Sequence, residues 1–348
     1  MFWARKVNQI LSIYSHIMKA IQIVKPGKTS LVEVPELKPG KGEVLLKIHY
    51  AGFCGSDLST FRGANGMVQY PRIPGHEIGA VIEELGEGCP SEFAPGQTVT
   101  VLPYTNCGKC ASCRNGRFNA CENNETLGVQ RDGAMKEYVC VPWEKIIPCP
   151  SLTVRDAALV EPMSVGFHAI DRGGVKDTDV VMVIGCGMVG LGAVVRAVLR
   201  GATVIAADID DEKLELARKL GAKYTFNSLG EWGDLPDPDV VVEAVGSVPT
   251  YQLAVNKVAF TGRIVCIGYA KSEVSLNTSL FVKKELDIRG SRNATPLDFK
   301  AVINYLSNGN PPVDLFISDI IRPEAAQQAL EAWNAAPGKV YRILVDFV

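Results

Sequence analysis

A glycine-rich turn between an apolar strand and an apolar helix constrains the fold of this chain more than any other feature. The strand pattern VVMVIG (180–185) leads into the turn, and an apolar helix pattern follows it. The turn consists of Gly185, Cys186, Gly187, Met188, Val189 and Gly190. The first glycine permits a tight bend, the second lets a ligand approach the backbone, and the third lets helix and strand pack closely. This spacing predicts the opening of a doubly wound α/β sheet.

The same half of the chain repeats the alternation of strand and helix. Further strand patterns occupy 202–208, 239–246, 262–269 and 286–291, with helix patterns between several of them. These strands are apolar without alternation, which predicts a parallel sheet covered by helices on both faces. One helix is predicted at 155–171, with a proline near its middle.

The first part of the chain has a different residue pattern. Strand patterns rich in β-branched residues occupy 20–24, 43–51, 78–85 and 97–103, and Pro-Gly pairs separate them. Such spacing predicts an all-β region with long functional loops. The C-terminal stretch VYRILVDFV (340–348) again alternates like a strand.

The glycine-rich turn is typical of a dinucleotide site, since the following helix offers free N–H groups to a pyrophosphate. The second strand ends at Asp208, 18 residues beyond Gly190. A carboxylate there can accept both ribose hydroxyls of NAD and repel the extra phosphate of NADP. No lysine or arginine follows Asp208 before Lys213, so we expect NAD. The alternative is an empty doubly wound domain with incidental glycines.

Four cysteines crowd into one loop, as Cys107, Cys110, Cys113 and Cys121. Four thiolates in a compact loop match a closed tetrahedral zinc site. Such a site stabilises the loop and leaves no coordination position open for substrate. An iron–sulfur cluster is an alternative, although the ferredoxin run closes with a different spacing. A redox CxxC is another, although it is expected at a helix beside a βαβ unit rather than in a β-rich region. We therefore predict structural zinc.

A second metal site is predicted from dispersed residues. Cys54 lies in Gly-Phe-Cys-Gly-Ser-Asp, and His76 and Glu77 are adjacent. Glu161 lies in an apolar stretch, LVEPM, where a buried carboxylate is costly without a partner. A cation offsets that cost. One thiolate, one imidazole and one or two carboxylates make a zinc site that keeps a position for water or substrate.

Composition excludes several classes of protein. The chain has 36 basic and 38 acidic residues, a net charge of -2, so no basic surface argues for nucleic acid or an anionic membrane. Apolar stretches fall short of the roughly 20 residues that a membrane span needs. Residues 1–17 are predicted to be a loose N-terminal extension rather than a secretory signal, and a weak organelle-targeting peptide is the alternative. We expect a cytoplasmic, reducing compartment, where clustered cysteines bind metal.

These motifs together resemble the zinc-dependent medium-chain alcohol dehydrogenases, within them the branch of polyol (sorbitol), sugar-acid and threonine dehydrogenases. The resemblance covers 18–348 and rests on CGSD (54–57), GHE-x2-G (75–79), the four-cysteine loop and the glycine-rich turn, in the family's order. It implies a GroES-like β-rich catalytic domain over 18–166 and 305–348, and a Rossmann NAD-binding domain over 167–304. It also implies a homo-oligomer, either a dimer or a tetramer.

The resemblance implies two zinc ions per subunit and a set of site residues. The catalytic zinc is bound by Cys54 and His76, with Glu77 and Glu161 as ligands directly or through water. Many members carry a histidine five residues after the zinc cysteine in a proton relay, and here that position is Ser59. The relay then uses Ser56, Ser59, Glu161 or water, and we assign Ser56. The cofactor contacts beyond the glycine-rich turn are assigned to Asp208, Lys213, Val245, Ile267 and Gly268.

The implied reaction is hydride transfer between a secondary alcohol of a polyol or sugar acid and NAD. L-Threonine 3-dehydrogenase-like activity is one alternative, and a catalytically silent nucleotide-binding scaffold is another. Arg292 follows the last sheet strand, where it grips a substrate carboxylate or else serves as a surface or dimer contact. His49 and His168 are interpreted as structural.

Overall fold

The structure is a computed structural model that describes residues 17–309 and 311–348. All of the predicted N-terminal extension except Ile17, and with it His16, lies outside the described residues. The chain divides into two compact units. One comprises the described residues up to Tyr104 with Glu125–Leu159 and Ile317–Val348, and the other comprises Thr105–Asn124 and Val160–Phe316.

The strands fall in the following order along the chain. They are β1 (Ile17–Lys25), β2 (Lys28–Pro35), β3 (Glu43–Phe53), β4 (Glu77–Leu85), β5 (Thr98–Val101), β6 (Tyr138–Pro142), β7 (Ile146–Pro148), β8 (Val180–Ile184), β9 (Thr203–Asp208), β10 (Tyr224–Asn227), β11 (Val240–Glu243), β12 (Arg263–Cys266), β13 (Asp287–Gly290), β14 (Asp319–Ile321) and β15 (Ile343–Asp346).

The longest helices lie in the second unit. They are α1 (Gly55–Phe61), α2 (Ala111–Arg114), α3 (Val154–Ala157), α4 (Val160–Gly173), α5 (Met188–Leu199), α6 (Asp211–Lys219), α7 (Val248–Lys257), α8 (Ser279–Lys284), α9 (Pro296–Asn308) and α10 (Ala326–Ala335). Single 3-10 turns lie at Phe118–Ala120, Trp143–Lys145, Val313–Phe316, Pro323–Ala325 and Pro337–Lys339.

The first unit is β-rich, as predicted. Its main sheet has the order β14-β15-β3-β4-β5-β7, with β6 also paired to β3, and β1 pairs with β2 in a separate hairpin. The long strand β3 pairs antiparallel with β4, β6 and β15. Its alternating side chains, among them Leu46 and Ile48, are buried in the core of this unit.

The second unit contains the predicted parallel sheet. Six strands run in the order β10-β9-β8-β11-β12-β13, and every pair of neighbours is parallel. The central strands are buried throughout, which explains why their sequences are apolar without alternation. The order reverses beside β8, and ligands of doubly wound sheets bind at such a switch point.

One helix prediction was wrong in its limits. The pattern at 155–171 forms two helices, α3 and α4, and Pro162 lies in the first turn of α4 rather than mid-helix. A proline is tolerated there because the first N–H groups of a helix have no intrahelical acceptor. Within the described ranges, no helix combines the length and the apolar character that crossing a membrane requires.

Candidate active site and metal centres

Strand pairing brings the predicted catalytic residues of the first unit together. Gly52 of β3 lies opposite Glu77 of β4 in the antiparallel register. Cys54 follows the end of β3, and His76 precedes the start of β4, so both flank this pair. The Cys54 sulfur, a His76 ring nitrogen and a Glu77 carboxylate oxygen all lie within 4.8 Å of one another.

A short helix holds the thiol. Cys54 is the N-cap of α1, and Oδ2 of Asp57 accepts a 2.8 Å hydrogen bond from the Cys54 backbone N–H. Asp57 is buried, which raises the pKa of its carboxyl, while the nearby charge of His76 acts in the opposite direction. The sequence motif contained Asp57 but gave no sign of this role.

The backbone before His76 is fixed by a neighbouring loop. Gly75 has a φ of +102°, a conformation that favours glycine. Its carbonyl oxygen accepts from the N–H of Ala134, and that of Pro74 accepts from Met135, both at 2.9 Å. These bonds position the imidazole from a segment nearly 60 residues away in sequence.

An arginine from the end of the chain accompanies Glu77. Arg342 Nε lies 2.9 Å from Glu77 Oε2, and Arg342 also donates to the carbonyl oxygen of Phe53. The side chains are 4% and 0% exposed. A Cβ at Gly52 would overlap the Glu77 carboxylate, so a glycine is needed at that position. Neither Arg342 nor Gly52 was predicted.

The two other assigned catalytic residues, Ser56 and Glu161, lie in different units. Ser56 is half-buried, and its Oγ is shielded from solvent with no hydrogen-bond partner among residues 17–309 and 311–348. Glu161 is buried in the first turn of α4, in the second unit. Its role as a zinc ligand therefore stays a prediction.

The donor set of the first unit fits zinc. A thiolate, an imidazole and a carboxylate are each established zinc donors, and three protein donors leave a fourth position open. All three side chains are fully or largely buried. When zinc is bound there, its charge compensates the buried carboxylate.

The four predicted cysteines also meet. Ligand atoms of Cys107, Cys110, Cys113 and Cys121 lie within 4.8 Å of one another, and the Cys110 and Cys121 sulfurs are 3.8 Å apart. The Ser112 hydroxyl and backbone N–H groups lower the pKa of Cys110 to about 5. Burial and neighbouring sulfurs raise the pKa of Cys113 to about 11. A closed four-sulfur cluster with one acidic thiol fits a structural zinc.

The glycine-rich turn has the geometry that its sequence indicated. Gly185 has a φ of +93°, and a Cβ at Gly190 would overlap the Gly185 carbonyl oxygen. At Gly187, by contrast, a Cβ would meet no atom of the described residues within 4 Å. Gly187 is the N-cap of α5, so an anion can approach the helix N-terminus over it.

The predicted ribose contact is fixed by backbone N–H groups. Asp208 ends β9, and its Oδ2 accepts from Cys186 N at 2.6 Å while Oδ1 accepts from Ile209 and Asp210. Lys213 lies in the first turn of α6. The remaining assigned contacts follow the next strands: Val245 follows β11, and Ile267 and Gly268 follow β12.

A cavity of about 400 Å³ lies at the carboxyl ends of β12 and β13, lined by Ile267, Gly268, Ser291 and Arg292 among others. Arg292 donates from Nη1 to the carbonyl oxygen of Cys121 at 3.2 Å. Its predicted contact with a substrate carboxylate is not tested by this geometry. Among the described residues, its guanidinium supports the four-cysteine loop.

Comparisons with known proteins identify the family of this chain. Residues 40–151 match the model of the alcohol dehydrogenase GroES-like domain, and residues 189–308 match that of the zinc-binding dehydrogenases. L-Galactonate-5-dehydrogenase of Escherichia coli is 34% identical over 80% of this chain and 84% of its own length. Sorbitol dehydrogenase of Halalkalibacterium halodurans is 33% identical over 81% and 85%.

A solved structure extends the likeness to the whole fold. The alcohol dehydrogenase RspB of Escherichia coli CFT073, complexed with NADH, has a TM-score of 0.88 and 31% identity, and the match covers 96% of this chain and all of RspB. The predicted combination of GroES-like and Rossmann folds is confirmed. The chain belongs to the zinc-type medium-chain alcohol dehydrogenases, in their polyol and sugar-acid branch.

Proposed function

We propose that this dehydrogenase oxidises a secondary hydroxyl of a polyol or sugar acid with NAD. The observation that carries the proposal is the meeting of Cys54, His76 and Glu77, whose donor atoms lie within 4.8 Å of one another. A thiolate–imidazole–carboxylate set leaves a fourth zinc position open for a substrate hydroxyl. The curated relatives named for galactonate and sorbitol support this substrate class.

Zinc bound at this site supplies Lewis acidity, which lowers the pKa of a substrate hydroxyl. Cys54 and His76 hold the ion, and Asp57 and Gly75 orient them through the backbone. Ser56 is assigned to accept the hydroxyl proton first, and a water would take the proton onward, since the Ser56 Oγ has no hydrogen-bond partner in the described part of the chain. A bound nicotinamide cofactor would supply the redox chemistry by accepting hydride from the substrate carbon.

We propose one carboxylate ligand at a time. Cys54, Glu77 and Glu161 carry three negative charges against two positive charges on zinc, and binding all of them would weaken its acidity. Arg342 lies beside Glu77 and neutralises it when that carboxylate is not a ligand. Glu161 is then the alternative ligand or the group that holds a water.

The cofactor is proposed to be NAD. Gly187 and the N-terminus of α5 would hold its pyrophosphate, and the Asp208 carboxylate would accept hydrogen bonds from the ribose hydroxyls. Three backbone N–H groups already fix the Asp208 side chain, and the negative charge of its carboxylate would repel a 2′-phosphate. The cavity lined by Ile267 and Gly268 receives the nicotinamide end.

The zinc content, the domain limits, the localisation and the oligomeric state are proposals as well. We propose two zinc ions per subunit, one at each cluster, and domain limits at 18–166 with 305–348 and at 167–304. A cytoplasmic homo-oligomer, dimer or tetramer, is proposed from the family resemblance. None of the ten cysteines is paired in a disulfide.

The test is NADH formation over polyols, aldonates, L-threonine and simple alcohols, with NADP in parallel and Glu161→Ala as control. Turnover of polyols or aldonates with NAD, lost in the control, supports the proposal. Turnover of threonine alone favours the threonine-type alternative. No turnover by protein that carries two zinc ions and binds NADH rejects the substrate class, and no NADH binding favours the silent scaffold.

A further inference from the structure

The four-cysteine loop and its 3-10 turn, residues 105–124, form a segment that we call the cysteine lobe. Asn119 lies in that 3-10 turn and is buried. Its Nδ2 donates to the carbonyl oxygen of Arg292 at 2.8 Å, and its own carbonyl oxygen accepts from Asn293 Nδ2 at 2.8 Å. The lobe is thus tied by reciprocal hydrogen bonds to the segment 291–293 that follows β13.

The same amide makes a second link to the body of the unit. Asn119 Nδ2 lies 3.0 Å from His168 Nε2 on α4, and His168 Nδ1 lies 3.0 Å from Asp298 Oδ2 on α9. Because the bond to Arg292 needs an N–H donor, Nδ2 is the amide nitrogen, and His168 Nε2 must accept. The ring proton of His168 then lies on Nδ1, toward Asp298. These hydrogen bonds fix the orientation of the Asn119 side-chain amide.

The tied segment lines the cavity at the ends of β12 and β13. Ser291 and Arg292 both contribute to its wall, together with Ile267 and Gly268. Ser291 is 7% exposed, and its Oγ has no hydrogen-bond partner within 17–309 and 311–348. A buried hydroxyl without a partner is costly, and a polar ligand group in the cavity removes that cost.

We propose that Asn119 is a positioning residue for the cofactor: it holds segment 291–293 at the wall that receives the nicotinamide end, and so makes cofactor affinity depend on the cysteine lobe. The inference rests on the proposed function, because it needs NAD in this cavity. The adenosine end contacts the other side of the switch point, at Asp208. Its affinity is therefore independent of Asn119.

The experiment compares NADH with ADP-ribose, which lacks the nicotinamide, by titration calorimetry. For Asn119→Ala we expect NADH to bind about five- to tenfold more weakly, the effect of one or two lost hydrogen bonds, and ADP-ribose to bind as in wild type. Arg114→Ala is the matched control, because Arg114 is exposed on the same lobe and its guanidinium donates to the carbonyl oxygen of Lys109 within that lobe. It should leave both affinities unchanged.

Asn293→Gly is the second variant, in case Asn119→Ala folds poorly. It removes only the bond to the Asn119 carbonyl oxygen and tolerates the φ of +55° at this position. A smaller loss of the same kind is expected, with wild-type zinc content. Unchanged NADH affinity with only a lowered melting temperature overturns the inference, as does an equal loss for both ligands. If wild-type protein binds ADP-ribose but not NADH, the proposed cofactor site itself fails.

Discussion

Arg342 and Glu77 form a buried ion pair in the first unit, with Nε 2.9 Å from Oε2 and both side chains almost fully excluded from solvent. Arg342 directly precedes β15, and Ile343 of β15 pairs with Phe53 of β3. This strand pairing places the Arg342 guanidinium beside the candidate metal site. Gly52 leaves the space that the pair occupies. The pair places a guanidinium charge beside a carboxylate that lies next to the Cys54 and His76 donor atoms.

Replacing Arg342 should therefore destabilise the protein. Arg342→Met removes the ion-pair partner of a buried carboxylate, and in zinc-free protein we expect the free energy of unfolding to fall by about 3 kcal/mol or more. Denaturant unfolding measures it. Arg322→Met is the control, since its ion pair with Asp346 is exposed on the arginine side and should contribute at most ~1 kcal/mol. Adding Glu77→Gln to Arg342→Met should recover part of the loss, and equal small losses in both arginine variants would contradict the prediction.

Ser56 is predicted to carry the substrate proton. Ser56→Ala should lower kcat by about a hundredfold, at the lower end of what a positioned proton-transfer group contributes, and leave NADH affinity unchanged. Steady-state kinetics and NADH titration measure the two. Ser59→Ala, from the next turn of α1, is the control and should retain kcat. A greater loss in Ser59→Ala would assign the relay to Ser59 instead.

Asp208 should decide between the two nicotinamide cofactors. Asp208→Asn removes the charge and leaves one acceptor oxygen where two accept from backbone N–H groups, so we expect NAD affinity to fall by roughly tenfold and NADP to bind better. KM values for both cofactors measure the change. Asp211→Asn is the control, because Asp211 is exposed on α6 and accepts from Asn227. An unchanged ratio of NAD to NADP in Asp208→Asn would exclude the charge as the discriminator.

The two metal clusters should load independently. Cys113→Ser should lower the zinc content by one ion per subunit, and Cys54→Ser should remove the other ion, because each cluster is complete within its own unit. Metal analysis of the purified variants measures this. Cys149→Ser is the control: Cys149 is a buried thiol outside both clusters, and burial raises its pKa to about 12. Loss of both ions from Cys113→Ser would contradict independence.

The sequence was most informative where chemistry is local. The cysteine lobe gathers its four ligands within 15 residues, and the glycine-rich turn sets its own backbone, so spacing alone predicted both. The grouping of Cys54, His76 and Glu77 was predictable because these metal-binding residue types are unusual in a β-rich region. The parallel sheet followed from the absence of alternation in its strands.

The supporting residues could not be predicted, because long-range pairing creates their roles. Gly52 looks like any strand glycine until β3 meets β4, and Arg342 looks like a surface arginine until β15 pairs with β3. Asn119 has no distinguishing neighbour in sequence, and its partners lie 49 and 173 residues away. The proline of α4 misled the helix assignment, since the helix begins just before it rather than running through it.

Asp298 should make stability depend on pH at the acid end. Burial alone raises its pKa, but hydrogen bonds from His168 and Thr295 outweigh burial and hold the pKa below the ordinary value of 3.8. A lowered folded-state pKa means that the stabilisation is present above the unfolded-state pKa and is lost as the pH falls through the folded-state value. The difference in unfolding free energy between wild type and Asp298→Asn should therefore be level from about pH 7 to about pH 5 and shrink below about pH 4.

Urea unfolding of both proteins across this range measures the difference, and zinc loss in acid affects both alike. Asp287→Asn is the control, because Asp287 is largely exposed beside Arg289 and should show a small difference at every pH. If the difference for Asp298→Asn stays constant into the acid range, the folded-state pKa is not lowered. His168 would then be held by Asn119 alone, and the bond between α4 and α9 would contribute little to the second unit.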